Sequence, residues 1–175
     1  MTPMRNLAVA LLAPALLVAA QTRAQAPNPL DAVPEKMPFD VPYGAPIGLD
    51  HAQAAIAAAV GEAKKHDWKM NVSVVDSGGN LVAFQRMDGA QLASIAISEH
   101  KARASVKYRR ETKVFENAIQ VSGFHYIATL DDVVASRGGI PLVVEGRLVG
   151  AIGCSGGTGS QDEVSCKVGA AAINK

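Results

Sequence analysis

The chain has few of the residues that build metal centres. It carries two cysteines, Cys154 and Cys166, and four histidines, with no CxxC and no HxxxH spacing. Zinc chemistry therefore has no ligand set to work with. Glycine patterns of the Rossmann and Walker types are also absent, as is any internal repeat of fixed period. Gly153-Cys154-Ser155-Gly156 lacks the GxSxG spacing of a nucleophile elbow and supplies no obvious base. The acid pairs Asp131-Asp132 and Asp162-Glu163 are neighbours in sequence, which does not set them facing each other across a substrate. No catalytic constellation emerges, so the chain reads as a binding protein rather than an enzyme.

A charge excess is missing too. Lys and Arg number 17 against 16 Asp and Glu. The balance argues against nucleic acid and against a charged membrane surface as partner. The apolar run Leu7–Ala20 is too short, and too closely followed by small and polar residues, to serve as a membrane anchor. With Arg5 before it and small residues after it, residues 1–24 read as a cleaved secretory signal. Removing Arg5 and Arg23 leaves 15 basic residues (17 − 2) against 16 acidic ones. The expected location is periplasmic or secreted. Export permits a disulfide between Cys154 and Cys166; both positions would equally suit small apolar residues packed between helix and sheet.

Residues 25–46 hold Pro27, Pro29, Pro34, Pro38 and Pro42 and end at Pro46. Proline cannot donate to a ladder and biases its predecessor toward extended backbone. This segment reads as an extended arm that adds little to core stability. The remaining domain spans 47–175.

Within it, Leu49, Ala52, Ile56, Ala59, Val60 and Ala63 recur at helical spacing and predict a helix over 49–66. Ala54, Ala55, Ala57 and Ala58 lie outside that stripe and predict a helix surface suited to a homo-oligomer. Alternation predicts a strand over 70–75. Asp76-Ser77-Gly78-Gly79-Asn80 is a turn signal, and the strand returns over 81–87. Helices follow over 92–109 and 111–121. Residues 123–139 are irregular, with a short strand around 127–130. A second hairpin joins 140–144 to 147–153 across Glu145-Gly146, and a last helix covers 161–173. Hairpins separated by helices give an α+β fold with an antiparallel sheet.

Gly150-Ala151-Ile152-Gly153-Cys154-Ser155-Gly156-Gly157-Thr158 runs from an apolar strand into a glycine-rich loop ahead of that last helix. Ser160 and Glu163 have capping-box spacing. The free N–H groups of the helix start then point over Ser155, Gly156 and Gly157, a place able to hold an anion.

Val74–Asp88, Lys101-Ala102, Gly138–Leu142, Gly150–Gly157 and Gln161–Glu163 follow one another in an order that resembles the GlcG/HbpS-like family of haem-binding proteins. The resemblance covers about residues 45–174. It implies a profilin-like fold, with a five-stranded antiparallel sheet between helical layers, a tendency to oligomerise, and haem binding in some members. Cys154 departs from the aliphatic residue expected there. For haem, His100 is the first candidate as metal ligand: Ala93, Ala96, Ile97 and Ala104 flank it, and Lys101 stands ready for a propionate. His51 and His125 are alternatives, the latter between Phe124 and Tyr126. A different class of reading is an accessory protein for a small organic acid or a corrinoid, held by the Ser155–Thr158 loop. A third is slow degradation of bound haem.

Overall fold

The computed structural model describes residues 26, 28, 31–37 and 39–174; the expected secretory signal lies outside them. Two units are resolved by contact, residues 1–35 and 36–175. In the first, the Asp31 N–H donates to the Asn28 carbonyl at 2.9 Å. The second holds the sheet and its helices. No helix among the described residues is long and apolar enough to cross a membrane.

The sheet has four strands, all antiparallel: β1 (Asn71–Asp76), β2 (Leu81–Arg86), β3 (Gly139–Val144) and β4 (Arg147–Ser155), in the order β2-β1-β4-β3. The expected fifth strand is corrected. Residues His125–Thr129 form a 3-10 helix instead. The turn chemistry behaves as read. The Asp76 carboxylate accepts the Gly78 and Asn80 N–H groups at 2.8 and 2.9 Å, and Glu145-Gly146 turns with φ of 50° and 71°, as a tight hairpin needs.

Helix α1 (Leu49–Lys65) buries Ala52, Ala55, Ile56, Ala59, Val60 and Ala63. It packs beside α4 (Gly159–Ala171) on one face of the sheet, over Val72, Val74, Ile152 and Cys154. Small residues set that spacing: a Cβ on Gly169 would stand 2.7 Å from the Ala55 carbonyl. Helix α2 (Ala93–Lys107) covers the other face. There Gly139 and Gly153 are partners across the strands, and α2 lies so close that a Cβ on Gly153 would reach 2.0 Å from the Ser98 carbonyl. Helix α3 (Lys113–Gln120) and the 3-10 helix complete the fold around Phe115 and Ile127.

Part of the arm is integral to this domain. Before Gly150, at residues 147–149, the edge of β4 is not paired with β1, and residues 42–47 take its place. The Leu148 N–H donates to Pro42, Gly44 donates to Leu148, and Ile47 donates to Val149, at 2.8–2.9 Å. Val41 packs on the apolar cluster beneath α2. Prolines at 42 and 46 fit because the ladder uses the N–H groups of residues 44 and 47.

Cys154 and Cys166 are bonded, with Cα atoms 5.6 Å apart. The bridge ties the end of β4 to the second turn of α4, and both residues are fully buried. Closing a loop across a separation of 12 residues contributes roughly 3 kcal/mol by restricting the unfolded chain. Urea unfolding with and without reductant should show a stability loss of that order, and the Cys154→Ala/Cys166→Ala variant should be insensitive to reductant.

Candidate functional site

The helix after the glycine-rich loop is capped two residues earlier than the sequence suggested. Thr158 is the N-cap: its hydroxyl accepts from the Gln161 N–H at 3.4 Å, and the Gln161 side chain accepts from the Thr158 N–H at 2.8 Å. The box is Thr158/Gln161, not Ser160/Glu163. Starting at Gly159 turns Asp162 and Glu163 inward; both are buried.

Asp162 takes up the dipoles of the loop. One carboxylate oxygen accepts from the Gly157 N–H at 3.1 Å, and the other accepts from the Lys101 ammonium at 2.7 Å. The chain's own carboxylate thus accepts from the loop at Gly157. Ser155 is buried, and Gly156 is glycine for a packing reason, since a Cβ there would stand 2.0 Å from the Lys69 carbonyl. Lys101 and Asp162 side chains are 1% and 3% exposed. Burial pushes the Asp162 carboxyl above its usual range against the pull of Lys101. Lys101 therefore sits inside the fold, where its ammonium faces Asp162 rather than a surface ligand.

A second charge cluster borders this one. Arg137 donates to Glu116 through its side chain at 2.6–2.8 Å and its backbone N–H at 2.7 Å. Glu163 meets Lys167 at 2.7 Å, Lys113 at 3.2 Å and Arg137 at 3.4 Å. Glu116, Arg137 and Thr158 wall an open cleft of about 410 Å³. Hydrogen bonds from Arg137 hold Glu116 below its ordinary value of 4.5. Burial raises Glu163, but its lysine partners outweigh that and lower it overall. Both acids ionise more readily folded than unfolded. Their contribution is present above 4.5 and is lost as pH falls through the folded values. Stability should fall on acidification below that point, and Glu116→Gln should flatten the fall in urea titrations across pH. Asp162, raised by burial, slopes the opposite way, so the difference between variant and parent isolates Glu116.

The remaining candidates are dispersed. His100, on α2, is exposed. Arg103 and Lys107 follow it at three and seven residues, one stripe of the helix. Arg103 pairs with Glu99 at 2.8 Å and Lys107 with Asp132, and the charge field of Asp132 includes His100. His51 is exposed on α1, beside Val144 and Ile173 on the opposite face of the sheet. His125 is exposed at the start of the 3-10 helix. Among the described residues, His, Cys, Asp and Glu form no cluster of three able to hold a metal ion. Sequence reasoning missed Asp162 as the partner of Lys101. It also missed the Glu116–Arg137–Glu163 network, whose members lie far apart in the chain.

A family model described as haem degrading protein HbpS-like matches residues 47–171. Protein GlcG of Escherichia coli strain K12 is 40% identical over 104 residues, 59% of this chain and 77% of that protein. A crystal structure of a double mutant of Streptomyces reticuli HbpS superposes with a TM-score of 0.70 at 27% identity, covering 82% of this chain and 99% of that one. A PduOC–haem complex gives 0.67 at 28% identity, covering 74% and 96%.

Proposed function

We propose that this chain, which belongs to the HbpS-like family, is an exported haem-binding protein that captures, buffers or delivers haem. The observation carrying this reading is the stripe on α2 formed by exposed His100 and Lys107 with half-buried Arg103 between them. When bound, haem would supply an iron that accepts an imidazole and propionates that accept cationic donors. His100 fits the first demand. Arg103 and Lys107 fit the second, taking the role that the sequence assigned to Lys101. The haem-bound relative supports the choice of ligand. The buried disulfide supports export to an oxidising compartment, periplasmic or extracellular.

A flat ring lying on one exposed helix face buries only one of its sides. A homo-oligomer would supply the other; Ala54 and Ala57, exposed on α1 across the sheet, offer a second and separate surface for close helix contact. Titrating hemin into the mature protein should give a saturable Soret band, and light scattering on the same sample should report an assembly larger than one chain. A Soret region identical to free hemin would remove haem from the account. A monomer would remove the shared site.

A further inference from the structure

Six cations fall between residues 101 and 113, and the structure gives four of them an acid. Lys101 meets Asp162, Arg103 meets Glu99, Lys107 meets Asp132 and Lys113 meets Glu163. Arg109 donates to the Val41 carbonyl and lies over the Tyr43 ring. Arg110 is different. Its Nε donates to the Tyr108 carbonyl at 2.9 Å, and no carboxylate among the described residues pairs with its guanidinium. Three aromatic rings surround it: Phe39 at 3.0 Å, Phe115 at 5.5 Å and Tyr108 at 6.0 Å from their centroids.

The backbone puts it there. Arg109 takes a φ of 55° at the end of α2, a left-handed turn that folds Arg110 back beneath α3. Arg110 thereby forms one end of a groove of about 380 Å³ between α3 and the 3-10 helix, within the size range of small-molecule sites. Val114, Phe115, Ala118, Phe124 and Tyr126 make its apolar walls. Val114 and Tyr126 keep 42% and 50% of their surface exposed, so the groove is open to solvent. A half-buried guanidinium with no carboxylate beside it gives up part of its hydration without an anionic partner. Its burial already lowers its basicity, and a carboxylate there would offset that cost. Guanidinium and carboxylate also match as a two-point fork.

We propose that this groove is a binding site for a small planar aromatic carboxylate, with its ring between Val114, Phe124 and Tyr126 and its carboxylate on Arg110. The site is separate from His100 and does not depend on haem binding.

Equilibrium dialysis of the full mature protein against 2-naphthoate and its neutral isostere 2-naphthamide tests the charge and the ring together. Naphthoate should bind at least roughly tenfold more tightly than the amide, as a charge-assisted pair implies. Backbone amide shifts should cluster at residues 114–126. Arg110→Gln should abolish the preference. Because Arg110 also stacks on Phe39, the rim variant Val114→Asp serves as the second probe: it leaves Arg110 in place and should weaken naphthoate, by charge repulsion added to the lost apolar contact, more than it weakens the amide. Equal binding of both ligands would overturn the proposal. So would amide shifts outside the groove, unchanged naphthoate affinity in Val114→Asp, or a groove that responds to hemin alone.

Discussion

Replacing Asp162 by alanine should cost the domain about 3–5 kcal/mol, because it strands the Lys101 ammonium in the interior. Lys101 reaches Asp162 at 2.7 Å, and both side chains are almost completely enclosed. Gly157 would also lose the acceptor for its N–H, so the loop and the first turn of α4 should loosen together. The penalty comes from the uncompensated charge, not from the worth of the pair itself. Lys101→Met combined with Asp162→Leu should therefore recover much of the loss, since an apolar pair of similar volume often equals or exceeds a buried ion pair. Urea unfolding of the single and double variants measures both. A loss below about 1 kcal/mol for Asp162→Ala, typical of an exposed pair, would mean that water reaches the site. For the same reason Lys101→Ala should act on folding before it acts on any ligand.

The second large effect is steric. Gly153→Ala places a methyl 2.0 Å from the Ser98 carbonyl and 2.7 Å from the Ala102 nitrogen. Both are backbone atoms of α2, so no side chain can swing aside. The helix must lift from the sheet along β4, at a cost of about 3 kcal/mol or more. Gly61 supplies the contrast. It lies within α1, and a Cβ there meets nothing within 4 Å. Gly61→Ala should stabilise by about 0.5–1 kcal/mol through helix propensity alone. Thermal melts of the two variants should move in opposite directions.

What the sequence made legible was whatever local pattern controls. The α1 stripe, the Asp76 turn and the Glu145-Gly146 hairpin depend on neighbours within a few residues; both turns formed where the spacing placed them, and the stripe did so from Ala52 to Ala63, with Ala55 buried in it and Leu49 left exposed. The cap of α4 was ambiguous because Thr158/Gln161 and Ser160/Glu163 both have the right spacing; the inward pull on Asp162 decides between them. Residues 127–130 form too short an apolar run to separate a strand from a 3-10 turn, and the sheet edge is complete without them. Lys101 looked like a surface cation because its run is basic. Its partner lies 61 residues away, and no local signal announces such a pair. The disulfide was open for a similar reason: two buried small residues on a strand and a helix look alike whether bonded or merely packed. The proline-rich arm and Ile47 after it hid their pairing with Leu148 and Val149 because the contacts, at Pro42, Gly44 and Ile47, follow no regular period.

Asp162 already holds the N–H of Gly157 in the glycine-rich loop, and the haem contact proposed here stays where the sequence put it, on α2. The most direct measurement compares hemin titrations of the mature protein and its His100→Ala variant, with circular dichroism confirming that both are folded. His100 is exposed, so the substitution should leave stability within about 0.5 kcal/mol. Loss of the imidazole should shift or broaden the Soret band and weaken binding, as expected when iron loses a ligand. A variant that binds hemin with the parent's affinity and spectrum would contradict the placement of haem on α2.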